Sequence, residues 1–220
     1  MKAIAFSGGM DSTIMAYELF TTTQDNYYIF TIEDEHWPMN WAFNNVNFIM
    51  NKWFSNFKDR IIDHKIVLNA RGYGNKYSLY AEYLQWAKAI LKYDLTHLYS
   101  GTTKLYPGLE ETEEYKGYAE GARVEFKEAF GKCYFHQPYF NFYRHQVANK
   151  YIEYNVVDMI LDTQTCKSIA LDGKLCNKSN CEDCSDRHEG LKRAFTNTKY
   201  EYIIERDRNR KLKDVVWTKC

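Results

Sequence analysis

Ser7-Gly8-Gly9-Met10-Asp11-Ser12 decides how this chain is read, because six residues join a strand, a tight turn and the start of a helix. Directly before it, Lys2 to Phe6 is a short run with Ile4 and Phe6, suited to a buried strand. Directly after it, Ile14, Met15, Leu19 and Phe20 recur at helical spacing. A strand-turn-helix of this kind aims several backbone N–H groups at one point, with the positive end of the helix dipole behind them. Glycine lets the backbone come close to an anion and permits positive φ. Ser7, Gly8, Gly9, Met10, Asp11 and Ser12 are therefore the candidate phosphate-binding residues. The plainer alternative is that Asp11 and Ser12 do no more than cap the helix.

Further along the chain, strand and helix signals alternate. Tyr28 to Ile32 reads as a second strand, and Trp41, Phe48, Ile49, Trp53 and Phe57 fall at helical spacing. Ile61 to Leu68 is a third strand, followed by a helix through Leu79, Tyr83, Trp86 or Ala87, and Ile90. Thr96 to Tyr99 is a short fourth strand ending at Ser100-Gly101. A polar, glycine-containing stretch runs to about Gly121. A helix around Val124 to Phe130 follows, then a fifth strand in Cys133 to Gln137 and a helix from about Arg144. This alternation predicts an α/β fold with a parallel sheet covered on both faces. Ligands of such sheets sit at the carboxyl ends of the strands, where Ser7, Asp34, Gly101 and Pro138 fall. Residues 1–150 are expected to form this domain and residues 151–220 a C-terminal helical region. The Tyr200 to Trp217 tail reads as a hairpin or a helix extension without chemistry.

Composition narrows the classes. With 220 residues, 45% hydrophobic and 17% aromatic, the chain has enough apolar material for a sizeable core and is not disordered. Its 29 basic and 29 acidic residues leave no overall electrostatic footprint for nucleic acid or membrane, although a local basic groove remains compatible. No apolar run reaches membrane-spanning length, and the first strand leaves no room for a signal peptide, so a cytoplasmic protein is expected.

Six cysteines are present. Cys166, Cys176, Cys181 and Cys184 are separated by nine, four and two residues and end in a Cys-x-x-Cys knuckle, with Gly173, Asn177, Ser179 and Asn180 supplying turn chemistry. Four thiolates in one such stretch suit a closed tetrahedral zinc site. An iron–sulfur cluster uses the same ligands. A disulfide pair is disfavoured in a reducing compartment. Cys133 reads as a buried small hydrophobe and Cys220 as a free thiol.

The complete Ser-Gly-Gly-x-Asp-Ser string straight after the first strand resembles the PP-loop of the N-type ATP pyrophosphatases, which bind the pyrophosphate of ATP and transfer AMP to a substrate oxygen. Paired with the four-cysteine knuckle, it resembles the 7-cyano-7-deazaguanine synthase family. Tyr118-Ala119-Glu120-Gly121-Ala122-Arg123-Val124-Glu125-Phe126 looks like that family's Tyr-Pro-Asp-Cys-Arg-Pro-Glu-Phe with one extra residue. Gln137-Pro138, Arg144, Thr163-Gln164-Thr165-Cys166, Arg187 and Ala194-Phe195 match further along. Two departures stand out: Glu33-Asp34-Glu35-His36-Trp37 replaces the family's Tyr-Gly-Gln, and the second and third cysteines are four residues apart instead of two.

The resemblance implies a PP-loop domain with a zinc knuckle at about 166–184. It implies ATP and Mg²⁺ as cofactors, structural Zn²⁺, and conversion of 7-carboxy-7-deazaguanine with ammonia to the nitrile through adenylated intermediates. Asp11, Ser12 and Arg123 are then the catalytic candidates, and Tyr118, Arg123, Glu125 and Phe126 the acceptor-binding ones. Nucleic acid and membrane are not expected partners, and a homodimer is allowed for. Plainer roles stand beside these: solvated charges for Arg123 and Glu125, packing for Tyr118 and Phe126, a charged surface turn for Asp34, Glu35 and His36, and a structural role for His97. The rival functions are an amide-forming relative, a PP-loop RNA-modifying enzyme, and a zinc-knuckle binding module with a vestigial PP-loop.

Overall fold

β1 (Lys2–Ala5) sits in the middle of a sheet, and its apolar run has two buried sides to serve. Ile4, with Phe6 just beyond, faces one hydrophobic cluster, while Ala3 and Ala5 face another. The computed structural model describes residues 1–34, 41–69, 78–103, 124–164 and 182–209. Within them, β2 (Tyr27–Asp34), β3 (Ile61–Asn69), β4 (His97–Ser100) and β5 (Tyr134–His136) complete a five-stranded sheet in the order β3-β2-β1-β4-β5. Every pairing is parallel. The order reverses between β1 and β4, so a crevice opens where these two strands end. The expected α/β parallel-sheet architecture is therefore the one observed.

The helices are α1 (Met10–Thr22), α2 (Trp41–Trp53), α3 (Ser78–Tyr93), α4 (Lys127–Phe130), α5 (Arg144–Glu153), α6 (Glu182–Phe195) and α7 (Tyr202–Arg208), with 3-10 turns at Ser55–Arg60 and Val157–Asp162. One cluster joins Ile14 and Phe20 of α1, Val46 and Ile49 of α2, Val147 and Tyr151 of α5, Leu191 and Phe195 of α6, and Ile203 of α7. The other joins Phe30 and Leu98 of the sheet with Trp86 and Ile90 of α3 and with Cys133. C-terminal elements thus share a core with the first βα unit. Cys133 is buried as expected, and burial pushes its thiol up to about 11.

Three local expectations shift. α2 stops at Trp53, and Phe57 belongs to the 3-10 turn, where it stacks on Phe20 at 5.5 Å between ring centres. The segment from Val124 to Phe130 is helical as expected but broken at Phe126: Val124 and Glu125 are helical before it, and α4 starts after it, with the Phe126 carbonyl accepting the N–H groups of Ala129 and Phe130 at 3.0 and 3.2 Å. In the tail, Tyr202–Arg208 is helical, so these residues form no hairpin; residues 210–220, with Cys220, lie outside the described ones.

Two histidines are structural. His64 of β3 is hydrogen-bonded to Thr31 Oγ1 at 2.8 Å and Asn47 Oδ1 at 2.9 Å and stacks on Phe43. Burial lowers it to about 4. His97 bonds Thr96 through Nδ1 at 3.1 Å and stacks with His136. Among the described residues, no helix is long and apolar enough to cross a membrane.

Candidate functional site

The loop between β1 and α1 turns on Gly8, whose φ is +73°. A side chain there is doubly barred, by the backbone and by Asn45, whose Nδ2 would lie 2.4 Å from an added Cβ. Gly9 follows as the N-cap of α1, and no side chain caps the helix. Asp11 and Ser12 instead lie inside the first turn, which removes the plain capping role. The Ser12 hydroxyl faces back into the loop, accepting the Ser7 N–H at 3.2 Å, lying 3.0 Å from Ser7 Oγ and donating to Gly9 O. The first-turn N–H groups of α1 are thus left without a side-chain acceptor, at the positive end of a 13-residue helix. Met10 is fully buried, and Tyr151 of α5 fixes it by donating to its carbonyl at 2.5 Å.

The other wall is the end of β4. Gly101 passes so close to α1 that an added Cβ would stand 2.6 Å from Ser12 N and 2.8 Å from Asp11 C. Thr103 Oγ1 lies 3.5 Å from Asp11 Oδ2. Gly101, at the end of β4, therefore meets the first turn of α1. Pro138 instead lines a separate open cleft of about 560 Å³ with Met15, Glu18, Tyr99 and His136.

The C-terminal elements close the site from behind. Gln164 donates its N–H to Gly8 O at 2.7 Å. Arg144, 5% exposed, pairs through Nη1 with Asp11 Oδ2 and through Nε with Asp186 Oδ2 at 2.6 Å. Its stem fits because α6 has Gly190 there; an added Cβ would lie 2.5 Å from Arg144 Cγ. Arg187, one residue beyond Asp186, is buried against Asp207 at 2.7 Å, Thr163 Oγ1 at 2.9 Å and Ile160 O at 2.8 Å. It thereby ties α6, α7 and the segment leading to Gln164 together.

Among the described residues, buried side-chain atoms without a hydrogen-bond partner gather around this loop. Asp11 Oδ1, Thr13 Oγ1, Asn45 Nδ2, Gln164 Oε1 and Asp186 Oδ1 belong to the loop, its helix or the residues packed on it. A buried polar atom left unpaired costs about 1–3 kcal/mol. Their concentration here leaves buried hydrogen-bonding capacity unmet around the start of α1.

The remaining candidates are divided. Tyr118 and Arg123 lie outside the described residues, as do Glu35, His36, Cys166, Cys176 and Cys181. Glu125 is exposed, and Phe126 packs against the cluster on the α3 side of the sheet. Glu33, the first residue of the stretch that departs from the family pattern, plays a structural part, because its carboxylate accepts the Phe43 N–H in the first turn of α2 at 2.6 Å. Cys184 is a half-buried thiol in the first turn of α6, near enough to Arg187 for their charges to interact. The other three cysteines of the expected knuckle lie outside the described residues, so the structure brings no metal-ligand group together around Cys184.

Asn45, Asp186 and the Gln164 side chain are site residues that sequence reasoning does not single out. Their one signal is a polar residue on an otherwise apolar helix face for Asn45, and the Asp186–Gly190 spacing of one helical turn for α6.

No protein-family model matches the chain, and no curated protein sequence matches it. Among solved structures, the U34-tRNA thiolase NcsA from Methanococcus maripaludis with its 4Fe-4S cluster is similar over 98% of this chain and 75% of its own, with 16% identity and a TM-score of 0.50. That likeness shows the fold: a parallel-sheet α/β domain of the PP-loop-like kind.

Proposed function

We propose that this chain cleaves ATP between its α and β phosphates, transferring AMP to an acceptor oxygen and releasing pyrophosphate. The observation that carries this reading is the uncapped first turn of α1, ringed by unpaired buried polar atoms. The N–H groups of Met10, Asp11 and Ser12 in the first turn of α1 would hold the pyrophosphate, and Asp11 would hold the Mg²⁺ through Oδ1. The bound cation neutralises phosphate charge. The protein's own work is positioning and charge stabilisation, with no protein nucleophile needed.

For the acceptor we take 7-carboxy-7-deazaguanine, on the family resemblance. A carboxylate oxygen attacks the α-phosphorus and pyrophosphate leaves. Ammonia then attacks the activated carbon, AMP leaves and a proton is released, giving the amide. A second AMP transfer to the amide oxygen releases pyrophosphate, and loss of AMP and of both amide protons then gives the nitrile. Tyr118, Arg123, Glu125 and Phe126 are assigned to the acid. Cys166, Cys176, Cys181 and Cys184 are assigned to a structural zinc.

A second reading, an RNA-modifying PP-loop enzyme, is favoured by the likeness to a tRNA thiolase. It also suits the structural use of Glu33 where the synthase family carries Tyr-Gly-Gln. Mass spectrometry separates the two. Incubation with ATP, Mg²⁺, ammonia and the acid should yield nitrile with two AMP per product, or amide with one. A mass change in tRNA alone establishes the second reading. In either case AMP and pyrophosphate appear together and Asp11→Ala abolishes both; release of ADP and phosphate would refute the assignment.

A further inference from the structure

We infer that Asp186 is a positioning residue for the nucleotide site, acting through Arg144 to keep Asp11 able to take a divalent cation. The inference rests on the ATP-cleaving reading and names a residue that the reading itself does not need.

An arginine beside Asp11 is at first sight a handicap. A guanidinium in contact with a carboxylate neutralises it, and a neutralised carboxylate is a poor magnesium ligand. In the low dielectric of a buried site this effect is larger than in water. Arg144 is 5% exposed and its contact with Asp11 is direct. Asp186 is fully buried and meets the opposite side of the same guanidinium, Nε to Oδ2, at 2.6 Å.

The buried trio therefore carries two carboxylates and one guanidinium, a net charge of −1. Asp186 shares the cation, so that Asp11 keeps negative charge to offer. Each carboxylate gives one oxygen to the guanidinium, Asp11 Oδ2 facing Nη1 and Asp186 Oδ2 facing Nε, while Oδ1 of each is buried with no hydrogen-bond partner among the described residues. Asp186 also fixes where the guanidinium lies. Its helix runs one turn on to Gly190, which leaves just the room that the Arg144 stem fills.

Charge sharing and simple packing predict different outcomes. Asp186→Asn leaves the volume nearly unchanged but removes one negative charge. Arg144 then acts on Asp11 alone, and the Mg²⁺ concentration needed for half-maximal binding of an ATP analogue with a non-cleavable α,β bond should rise about tenfold or more. Adding Arg144→Gln to Asp186→Asn removes the offending positive charge, and the Mg²⁺ midpoint should return to within about threefold of the unaltered protein. A packing role predicts the reverse, with the double variant worse than the single.

Binding is measured by calorimetry on the full-length chain across a Mg²⁺ series, with a melting curve for each variant. An unshifted midpoint in Asp186→Asn overturns the inference while leaving the ATP-cleaving reading intact. If Asp186→Asn does not fold, the double variant decides: a midpoint raised tenfold or more refutes the charge-sharing role. Failure of the unaltered protein to bind the analogue at any Mg²⁺ concentration takes both readings down.

Discussion

Replacing Gly101 by alanine tests the geometry of the crevice with one methyl group. The new Cβ would stand 2.6 Å from Ser12 N, 2.7 Å from Ser12 Cα and 2.8 Å from Asp11 C, against an ordinary contact of 3.4–4 Å. All three neighbours are backbone, so no side chain can swing aside. The start of α1 and the end of β4 must separate by about 0.8 Å. Overpacking of this size costs about 1–3 kcal/mol, or roughly 3–10 °C in melting temperature for a chain of this length. The larger effect falls on catalysis, because the displaced atoms carry Asp11 and Ser12. A misplacement of about 1 Å costs on the order of 100-fold in rate. Gly9→Ala is the control for stability alone, since its Cβ would meet Ser7 Oγ at 3.2 Å and Gln164 O at 3.3 Å, contacts that relax by a few tenths of an ångström. AMP release followed by anion-exchange chromatography, beside a thermal melt, reads both quantities. Wild-type AMP release and melting temperature in Gly101→Ala would refute the close approach of β4 to α1.

Arg187→Met should lower stability by about 3–5 kcal/mol in urea unfolding, since it strips the guanidinium from buried Asp207; pairing it with Asp207→Asn should recover most of the loss. His64 takes its proton at about 4 in the folded protein, against 6.5 ordinarily. As pH falls, the unfolded chain is therefore protonated first, and stability, complete above about 6.5, declines toward pH 4. Discounted for partial exposure, the loss is about 2 kcal/mol and should vanish from the pH dependence of His64→Gln. Metal analysis should find about one zinc per chain, lowered in Cys184→Ser together with the melting temperature; stoichiometric iron with a visible charge-transfer band would identify a cluster instead.

The fold is legible in the sequence because its signals are local. Lys2 to Phe6, the two glycines and the helical spacing of Ile14, Met15 and Phe20 announce a βα unit without any knowledge of the rest. The residues that make the loop a site are not legible in that way. Asn45, Gln164 and Asp186 are polar groups drawn from three distant segments, and their burial is a property of the assembled chain. Arg144 stands out by its place in a family pattern, yet nothing in that pattern shows it facing Asp11 and Asp186. Phe126 illustrates the opposite difficulty: an aromatic residue in a matched motif turns out to begin a helical turn and to pack on the sheet.

The hydrogen bond from Gln164 N–H to Gly8 O has a consequence for how the protein comes into being. It spans most of the chain, and so do the links from Asp11 through Arg144 to Asp186. Sequence-distant contacts of this kind form late, because the long intervening loop must close first. During synthesis the Ser7–Ser12 loop emerges well before its back wall, which Arg144, Gln164 and Asp186 supply. A nascent or truncated chain ending before Gln164 carries the whole Ser-Gly-Gly-Met-Asp-Ser string without the walls that orient it. The walls that orient the loop are thus in place only once the chain has been made past Asp186.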